Sequence, residues 1–206
     1  KPSKINDKPQ LTNGLNISQD ITSGVAHTCN LVSPNLALID NDEDLEQTIS
    51  LSVNILDNTI ELTETPIPES KLHNEYYRII GVGALGLADW LAKRKLTYRN
   101  STKQVNELFE KIAYYGIKES VRLAKERGIY PLFEGSEWSK GIVFGKSKEW
   151  FKNNETNIDK EKWYSLLDEL QRFGIRNGGI FALPPNTSSS LLVGATASIL
   201  PPYSKM

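Results

Sequence analysis

The stretch Gly81-Val82-Gly83-Ala84-Leu85-Gly86-Leu87-Ala88-Asp89-Trp90-Leu91-Ala92 joins a glycine-rich turn to an apolar helical pattern. Its first six residues match GxGxxG, in which a strand, a tight turn and a helix N-terminus hold a pyrophosphate. However, the preceding residues 74–78 are polar, and no acidic strand end follows at the distance needed for a ribose. We therefore predict a helix from about Gly83 to Lys95, with small glycines that let it pack closely against its neighbours.

Longer helices are predicted on both sides of this stretch. Apolar residues recur every three or four positions, the helical period, after the N-cap candidate Asp42 and up to Leu62. The same period predicts helices through 105–120, ended by Gly128, and through 163–173, ended by Gly174. The remaining predictions are a short strand and turn in 25–38, a surface excursion over 132–160, a buried strand at 180–183 and a helix opening at 190–198. Long helices with few, short strands predict part of an α/β layered or barrel fold.

Composition excludes several classes of protein. The 206 residues carry 24 Lys+Arg and 25 Asp+Glu, a balance that argues against nucleic-acid binding and against a polybasic membrane patch. No apolar run approaches the roughly 20 residues that span a bilayer. One cysteine excludes an internal disulfide framework, and two histidines disfavour a histidine metal cluster, so we predict no metal site. With no apolar leader segment, a reducing cytoplasm is the expected location.

The two ends of the chain predict a piece of a longer protein. The first residue is Lys rather than Met, and residues 1–24 are polar, which predicts a loop or a cut end. The chain stops at Pro201-Pro202-Tyr203-Ser204-Lys205-Met206, with no predicted helix to close the fold. We therefore take 25–206 as the structured part.

A hydroxyl-rich turn follows the predicted buried strand, at Pro184-Pro185-Asn186-Thr187-Ser188-Ser189-Ser190. Free backbone N–H groups where a strand hands over to a helix favour an anion, and hydroxyls add donors. A phosphate site is therefore chemically sensible. A Ser-rich turn that only caps a helix explains the same residues, and the spacing leaves both readings open.

Cys29 is the second candidate. A lone cysteine is most often buried in the core, and redox or radical chemistry needs a partner thiol that this chain does not contain. The residues alone therefore favour a core cysteine, unless the partner lies on another segment. His27 and His73 have no acidic or cysteine grouping around them, and we interpret both as structural or surface residues.

Five segments, in the same order along the chain, resemble the large, catalytic subunit of ribonucleotide reductase. The residues from Cys29 to Ala37 look like its CNLxSxNL segment, and Gly81 to Ala92 resembles its GxGxxGLADLLA helix. The other three are similar to its LAxERGxxPxF stretch and to its later signature: 123–133, 163–177 and 182–185. Phe181, where a smaller or aliphatic residue is usual, departs from the pattern. The similarity runs from about residue 29 to residue 202.

The resemblance implies reduction of ribonucleoside diphosphates to 2′-deoxyribonucleotides within a ten-stranded α/β barrel, of which this chain would be half or less. It implies that Cys29 is one of two reducing thiols, with its partner cysteine outside this chain. It implies that Asn186, Thr187, Ser188 and Ser189 hold the substrate's diphosphate. No cofactor would bind this segment directly. The implied partners are the remaining large-subunit segments, a separate small subunit that supplies the radical, and thioredoxin or glutaredoxin as reductant.

Departures from the family pattern keep alternatives open. The family often has Thr-Gly or Thr-Ala where this chain has Asn186-Thr187, and residues 1–28 contain no Asn-x-Cys-x-Glu radical motif. We therefore expect the chain alone to be catalytically inert. One alternative is a degenerate phosphate-binding or scaffolding fragment without catalysis. The cobalamin-dependent reductase class, and a dinucleotide-binding oxidoreductase resting on GxGxxG alone, are the others.

Overall fold

The computed structural model describes residues 28–202, and these form a helix-rich α/β unit. His27, the polar stretch 1–24 and the last four residues lie outside the described part. In chain order, the elements are β1 Leu31–Val32, α1 Asp42–Leu62, α2 Pro68–Tyr77, β2 Gly81–Val82, α3 Leu87–Lys93, α4 Thr102–Arg127, α5 Lys148–Asn153, α6 Lys160–Phe173 and α7 Thr187–Val193. Two 3-10 turns, Leu36–Leu38 and Trp138–Lys140, complete the set.

The centre of the fold is a small parallel sheet. β1 and β2 pair in parallel, with Leu31 opposite Gly81 and Val32 opposite Val82. An extended segment, 179–182, runs along the other side of β2, because Val82 N donates to Ile180 O at 2.7 Å and Ala182 N donates to Val82 O at 3.2 Å. The strand predicted in 25–38 is therefore confirmed, whereas the predicted strand at 180–183 is an extended segment with a single bridge between Phe181 and Val82. Over residues 28–202 the sheet has two strands and is not closed, so the α/β class is confirmed and a ten-stranded barrel is not seen.

The glycine-rich stretch forms a strand and a turn before it forms a helix, so the predicted helix start at Gly83 is wrong. A Cβ on Gly81 would lie 2.4 Å from Leu31 Cδ2 and 2.9 Å from Ala182 Cβ. Glycine is thus needed where the two outer segments crowd β2. Gly86 adopts φ +76°, a left-handed conformation that ends the turn, and α3 begins at the next residue.

Three long helices confirm the periodicity, and their boundaries show its limits. α1, α4 and α6 occupy the predicted segments, and Gly128 and Gly174 follow the last two as C-caps. Asn41, rather than Asp42, caps α1, because its side chain accepts a hydrogen bond from Asp44 N at 2.9 Å. α2 was not predicted from its polar and aromatic sequence, and α7 begins at Thr187 rather than Ser190.

The core lies between the sheet and the long helices. One face of α1 is buried, and the buried face of α4 packs along it. Burial of apolar surface supplies most of the folding free energy, at roughly 25 cal/mol per Å². The buried stripe of α1 consists of Leu45, Ile49, Val53, Leu56 and Ile60.

Residues 132–160 are not a surface excursion, because five apolar side chains within them are buried: Phe133, Trp138, Val143, Phe151 and Ile158. Glu110 of α4 holds the end of this segment in place through hydrogen bonds. Its carboxylate accepts hydrogen bonds from Asn157 N at 2.9 Å, from Ile158 N at 3.3 Å and from the Trp163 indole N–H at 2.9 Å. Burial of this carboxyl acts to raise its pKa, but the donated hydrogen bonds outweigh burial and hold the pKa below its ordinary value.

A buried carboxylate, Asp57 of α1, joins four parts of the chain. Its side chain is fully buried and pairs with Arg78 Nη2 at 2.7 Å and with Arg127 Nη1 at 2.9 Å. Arg176 Nε lies 3.4 Å away, and Asn177 Nδ2 donates to the same carboxylate at 3.2 Å. Arg78 ends α2, Arg127 ends α4, and Arg176 leads into the extended segment 179–182.

The arginines determine the protonation of this carboxylate. Burial acts to raise the pKa of Asp57, but hydrogen bonds and charge from Arg78, with help from Arg176 and Arg127, hold the pKa below its ordinary value. Glu61, one turn further along α1, also pairs with Arg78 Nη1 at 2.7 Å and with Arg176 Nη2 at 3.1 Å. The ionised form of Asp57 is thus the one that holds the elements together.

Replacing Asp57 by Asn should destabilise the chain strongly, because the arginines around it would lose their buried counter-charge. Breaking a buried ion pair from one side costs about 3–5 kcal/mol. The free energy of unfolding, measured with urea and tryptophan fluorescence, should fall by that amount. Asp168→Asn, which breaks only the exposed pair with Lys148, should cost less than about 1 kcal/mol. Equal effects of the two substitutions would contradict this account.

Glu110→Gln should make stability less dependent on acid pH. The folded-state pKa of Glu110 is lowered, so its contribution is complete above the ordinary value of 4.5 and is lost as pH falls below it. The difference in melting temperature between wild type and Glu110→Gln should therefore be largest near neutral pH and shrink below pH 4.5. Glu149→Gln, at an exposed carboxylate on α5, is the control. A difference that stays constant with pH would refute the assignment.

Candidate functional site

The carboxyl ends of the three parallel segments meet at one edge of the sheet. Ser33 follows β1, Gly83 follows β2, and Asn186 lies beyond the extended segment 179–182. Asn186 connects them, because its side-chain amide donates to Ser33 Oγ at 2.9 Å, to Ala84 O at 3.2 Å and to Pro184 O at 3.1 Å. Parallel sheets commonly place their ligand sites at this edge.

The conformation of Asn186 is unusual for a residue with a side chain. Its φ of +54° and ψ of +26° are left-handed, a region that Asn enters more readily than most residues. The three hydrogen bonds of its amide stabilise this conformation and turn the chain sharply into α7. The predicted site residue Asn186 therefore directs its side chain inward, toward the strand ends.

The three predicted residues that follow lie on the outer side of this turn. Thr187, Ser188 and Ser189 are exposed and form the first turn of α7, whereas Ser190 is buried and donates from Oγ to Thr187 O at 2.9 Å. Of the four predicted residues, Asn186 therefore contacts Ser33, and the three that follow it are exposed to solvent. Ser33 was not predicted, although its position after a short strand could have indicated it.

Gly83 lets the strand ends come close enough for this arrangement. A Cβ there would lie 2.6 Å from Ala182 O, 2.6 Å from Pro184 Cδ and 2.7 Å from Ser33 Oγ. Two of these atoms belong to the segment that leads to Asn186, and the third is the hydroxyl that Asn186 contacts. Any larger residue at this position must therefore displace the turn.

The GxGxxG residues cannot hold a pyrophosphate in this conformation. Gly81 N donates to Asn30 O at 2.9 Å, Gly83 N to Val32 O at 2.8 Å and Gly86 N to Thr196 O at 2.8 Å. A phosphate-binding loop needs these backbone N–H groups to be free. The glycines therefore serve the sheet and not a dinucleotide.

Cys29 is exposed, so it does not belong to the core that residues 28–202 form. It lies just before β1, whereas the hydroxyl-bearing turn lies beyond the carboxyl end of the same strand. From Cys29 to Ser33 is four residues, about 13 Å of extended chain. A ligand that contacts both the thiol and the turn would therefore have to extend along the strand.

Side chains near Cys29 fix the approach to β1. Thr28 Oγ1 donates a hydrogen bond to Oδ1 of Asn74, a buried residue of α2. The neighbouring His73 is also buried, and its ring stacks on that of Tyr77 with 4.7 Å between centroids. His73 therefore packs within the fold, as the structural interpretation predicted.

A separate cavity of about 480 Å³ lies between α4, α5 and the sheet. Six aromatic side chains contribute to its wall, and of the two glutamates that line it, Glu110 already accepts the hydrogen bonds described above. Across residues 28–202, no three or more His, Cys, Asp or Glu side chains are grouped to hold a metal ion. In the same part of the chain, no helix is long and apolar enough to cross a membrane.

Comparison with known proteins agrees with the motif resemblance. The family model described as ribonucleotide reductase, barrel domain, matches residues 15–206. A ribonucleoside-diphosphate reductase subunit alpha from Synechocystis is 52% identical over 181 residues, covering 87% of this chain and 23% of that protein. The subunit alpha of Helicobacter pylori is 37% identical over 188 residues, covering 88% of this chain and 24% of that protein.

A phage protein extends the range of relatives. The ribonucleoside-diphosphate reductase subunit alpha of bacteriophage T4 is 32% identical over 195 residues, covering 93% of this chain and 25% of that protein. The chain therefore spans about a quarter of the length of the curated relatives that it matches.

Replacing Gly83 by Ala should disturb the turn at Asn186, because the added methyl group overlaps the backbone of the extended segment. Overpacking of this kind costs about 1–3 kcal/mol. Urea unfolding should detect the loss. Gly179→Ala is the matched control, since its Cβ would come no closer than 3.4 Å to Ile79 and should be tolerated. Equal stability of the two variants would show that the strand ends are not tightly packed.

Proposed function

The chain belongs to the ribonucleotide reductase barrel-domain family, and we propose that it is a segment of a ribonucleoside-diphosphate reductase alpha subunit. In this proposal, residues 25–206 form part of the ten-stranded barrel. The complete subunit reduces ribonucleoside diphosphates to 2′-deoxyribonucleotides for DNA synthesis. The observation that carries the proposal is the match to the barrel-domain model over residues 15–206, together with an exposed Cys29.

Cys29 acts as one of the two reducing thiols in this proposal. The partner cysteine lies on another segment of the subunit, because this chain contains a single cysteine. The two thiols give two electrons and two protons and become a disulfide. The 2′-hydroxyl of the ribose leaves as water and is replaced by hydrogen, so the atoms and electrons balance. The exposed position of Cys29 supports this role, since a thiol that is repeatedly oxidised and reduced must be reached by substrate and reductant.

The turn from Asn186 to Ser189 binds the diphosphate in this proposal. The exposed hydroxyls of Thr187, Ser188 and Ser189 donate hydrogen bonds to phosphate oxygens, which are strong acceptors. Asn186 contributes through the shape that its inward amide gives to the turn. The separation between this turn and Cys29 suits an elongated substrate, with its diphosphate at the carboxyl edge of the sheet and its ribose nearer the thiol.

The chain needs partners to complete this chemistry. β1 has a strand neighbour on only one side within residues 28–202, so the remaining segments of the large subunit supply the rest of the barrel. No cofactor binds this segment directly in the proposal. A separate small subunit supplies the radical, and thioredoxin or glutaredoxin reduces the disulfide after each turnover. The proposed location is the cytoplasm, where such reductants operate.

A second candidate is a phosphate-binding or scaffolding fragment that has lost catalysis. The specific observation in its favour is that residues 1–28 contain no Asn-x-Cys-x-Glu sequence, which the family places shortly before the Cys29 segment. This candidate keeps the hydroxyl-bearing turn as an anion site and gives Cys29 no chemical role. It predicts diphosphate binding without reduction.

Reduction of a nucleoside diphosphate should occur only when the chain is assembled with the other large-subunit segments, the small subunit and a reductant. Cys29→Ser should abolish formation of deoxynucleotide, because serine cannot supply electrons. Product would be quantified by chromatography of radiolabelled nucleotide. Thr28→Ser, a conservative change at the adjacent position, should retain activity.

Two results of this assay would contradict the proposal. Full activity of Cys29→Ser would remove the thiol from the chemistry. Absence of reduction in every assembled mixture, with nucleotide still bound, would favour the non-catalytic scaffold.

A further inference from the structure

The segment that carries the proposed diphosphate site is poorly anchored by packing. Of the seven residues of α7, Ser190 is the buried one, while Leu191 is 78% exposed and Leu192 is 88% exposed. Burial of apolar side chains, which holds the long helices in place, therefore does little to fix the position of α7 within residues 28–202. Its place in the fold must depend on hydrogen bonds at its two ends.

One end of α7 is held by the Asn186 amide described above. The other end is held by Asp89 of α3, whose Oδ2 accepts two hydrogen bonds from Thr196. Thr196 N donates at 2.7 Å and Thr196 Oγ1 donates at 2.9 Å. The carbonyl oxygen of Thr196 accepts a hydrogen bond from Gly86 N at 2.8 Å. Three hydrogen bonds thus connect Thr196 to the start of α3.

The start of α3 is itself fixed to the strand ends. Leu85 N donates to Pro34 O at 3.0 Å, and Leu36 N donates to Leu85 O at 2.9 Å. A Cβ at Gly86 would lie 2.5 Å from Asn35 Oδ1, which shows how closely this turn meets the end of β1. Trp90 and Leu91 are buried one turn later in α3. Asp89 therefore projects from a part of the fold with little freedom to move.

The short loop between α7 and Thr196 connects the helix to these hydrogen bonds of Thr196. Ala195 N donates to Ser190 O at 2.9 Å, and Gly194 adopts φ +65° as the left-handed residue that ends α7. Only Gly194 and Ala195 separate the end of the helix from Thr196. A shift of Thr196 would therefore pass directly to Ser190 and to Ser188 and Ser189, the two residues before it.

We propose that Asp89 is a positioning residue for the substrate diphosphate, acting through Thr196 on the turn that carries Ser188 and Ser189. This inference rests on the proposed function. Asp89 does not contact the substrate. Its charge-assisted hydrogen bonds, which are stronger than neutral ones, keep the hydroxyls of the turn in the orientation that the diphosphate requires. Substrate binding should therefore depend on Asp89, whereas the thiol chemistry should not.

The test uses the complete large subunit containing this chain, assembled with its small subunit. Asp89→Ala should raise KM for a nucleoside diphosphate by about tenfold while kcat changes less than about twofold. Thr196→Val, which removes only the hydroxyl donor, should raise KM by a smaller factor. Thr196→Ser keeps a hydroxyl donor at this position and should leave KM at the wild-type value. Asp168→Ala, at an exposed carboxylate on α6, is the matched control and should change neither constant.

The melting temperature of each variant distinguishes positioning from general stability. If Asp89→Ala fails to fold, Thr196→Val and Thr196→Ser carry the test. An unchanged KM in folded Asp89→Ala would overturn the inference, and so would a loss of kcat with KM constant. If the wild-type subunit neither reduces nor binds nucleoside diphosphate in equilibrium dialysis, the proposed function fails and the inference fails with it. Wild-type activity with an Asp89-independent KM defeats the inference alone.

Discussion

The buried ion pair between Asp57 and its arginines is the interaction on which the rest of the structure depends. It joins α1 to the ends of α2 and α4 and to the residues that lead into the extended segment 179–182. Because only Ile79 and Ile80 separate Arg78 from β2, the position of Arg78 also determines where β2 enters the sheet. An isolated buried carboxylate would be costly, and the surrounding arginines and Asn177 make its ionised form the stable one. The elements at the amino end of the sheet are thus held together by the ion pairs of Asp57.

The carboxyl end of the sheet is held differently, by close backbone approach and by hydrogen bonds of neutral side chains. Gly81 and Gly83 let the outer segments crowd β2, and the amide of Asn186 then joins the three strand ends. The backbone N–H groups of Gly81, Gly83 and Gly86 donate hydrogen bonds within this arrangement, while the hydroxyls of 187–189 remain exposed. Polar groups free to bind a ligand are therefore concentrated on the turn and not on the GxGxxG sequence. Parallel sheets commonly have one end that serves stability and a carboxyl edge that is accessible to ligands.

Much of this architecture could be predicted from the sequence, and the failures have physical causes. α1, α4 and α6 bury one continuous stripe each, so the helical period identifies them. β2 escaped detection because glycines replace the β-branched residues that mark a strand, and the need for glycine comes from neighbours distant in sequence. The segment 132–160 looked polar because its buried side chains are separated by charged ones. The sequence predicts 186–189 as candidate site residues, but the inward amide of Asn186 and its partner Ser33 depend on a tertiary contact across 153 residues.

We propose that this chain forms one wall of a reductase site, with a thiol before β1 and a hydroxyl-bearing turn after the extended segment. A crystal structure of the complete subunit with bound nucleoside diphosphate tests it most directly. We expect phosphate oxygens within hydrogen-bond distance of Ser188 and Ser189, and the ribose facing the sulfur of Cys29. A nucleotide bound with its diphosphate away from this turn, or with Cys29 remote from the ribose, would contradict it.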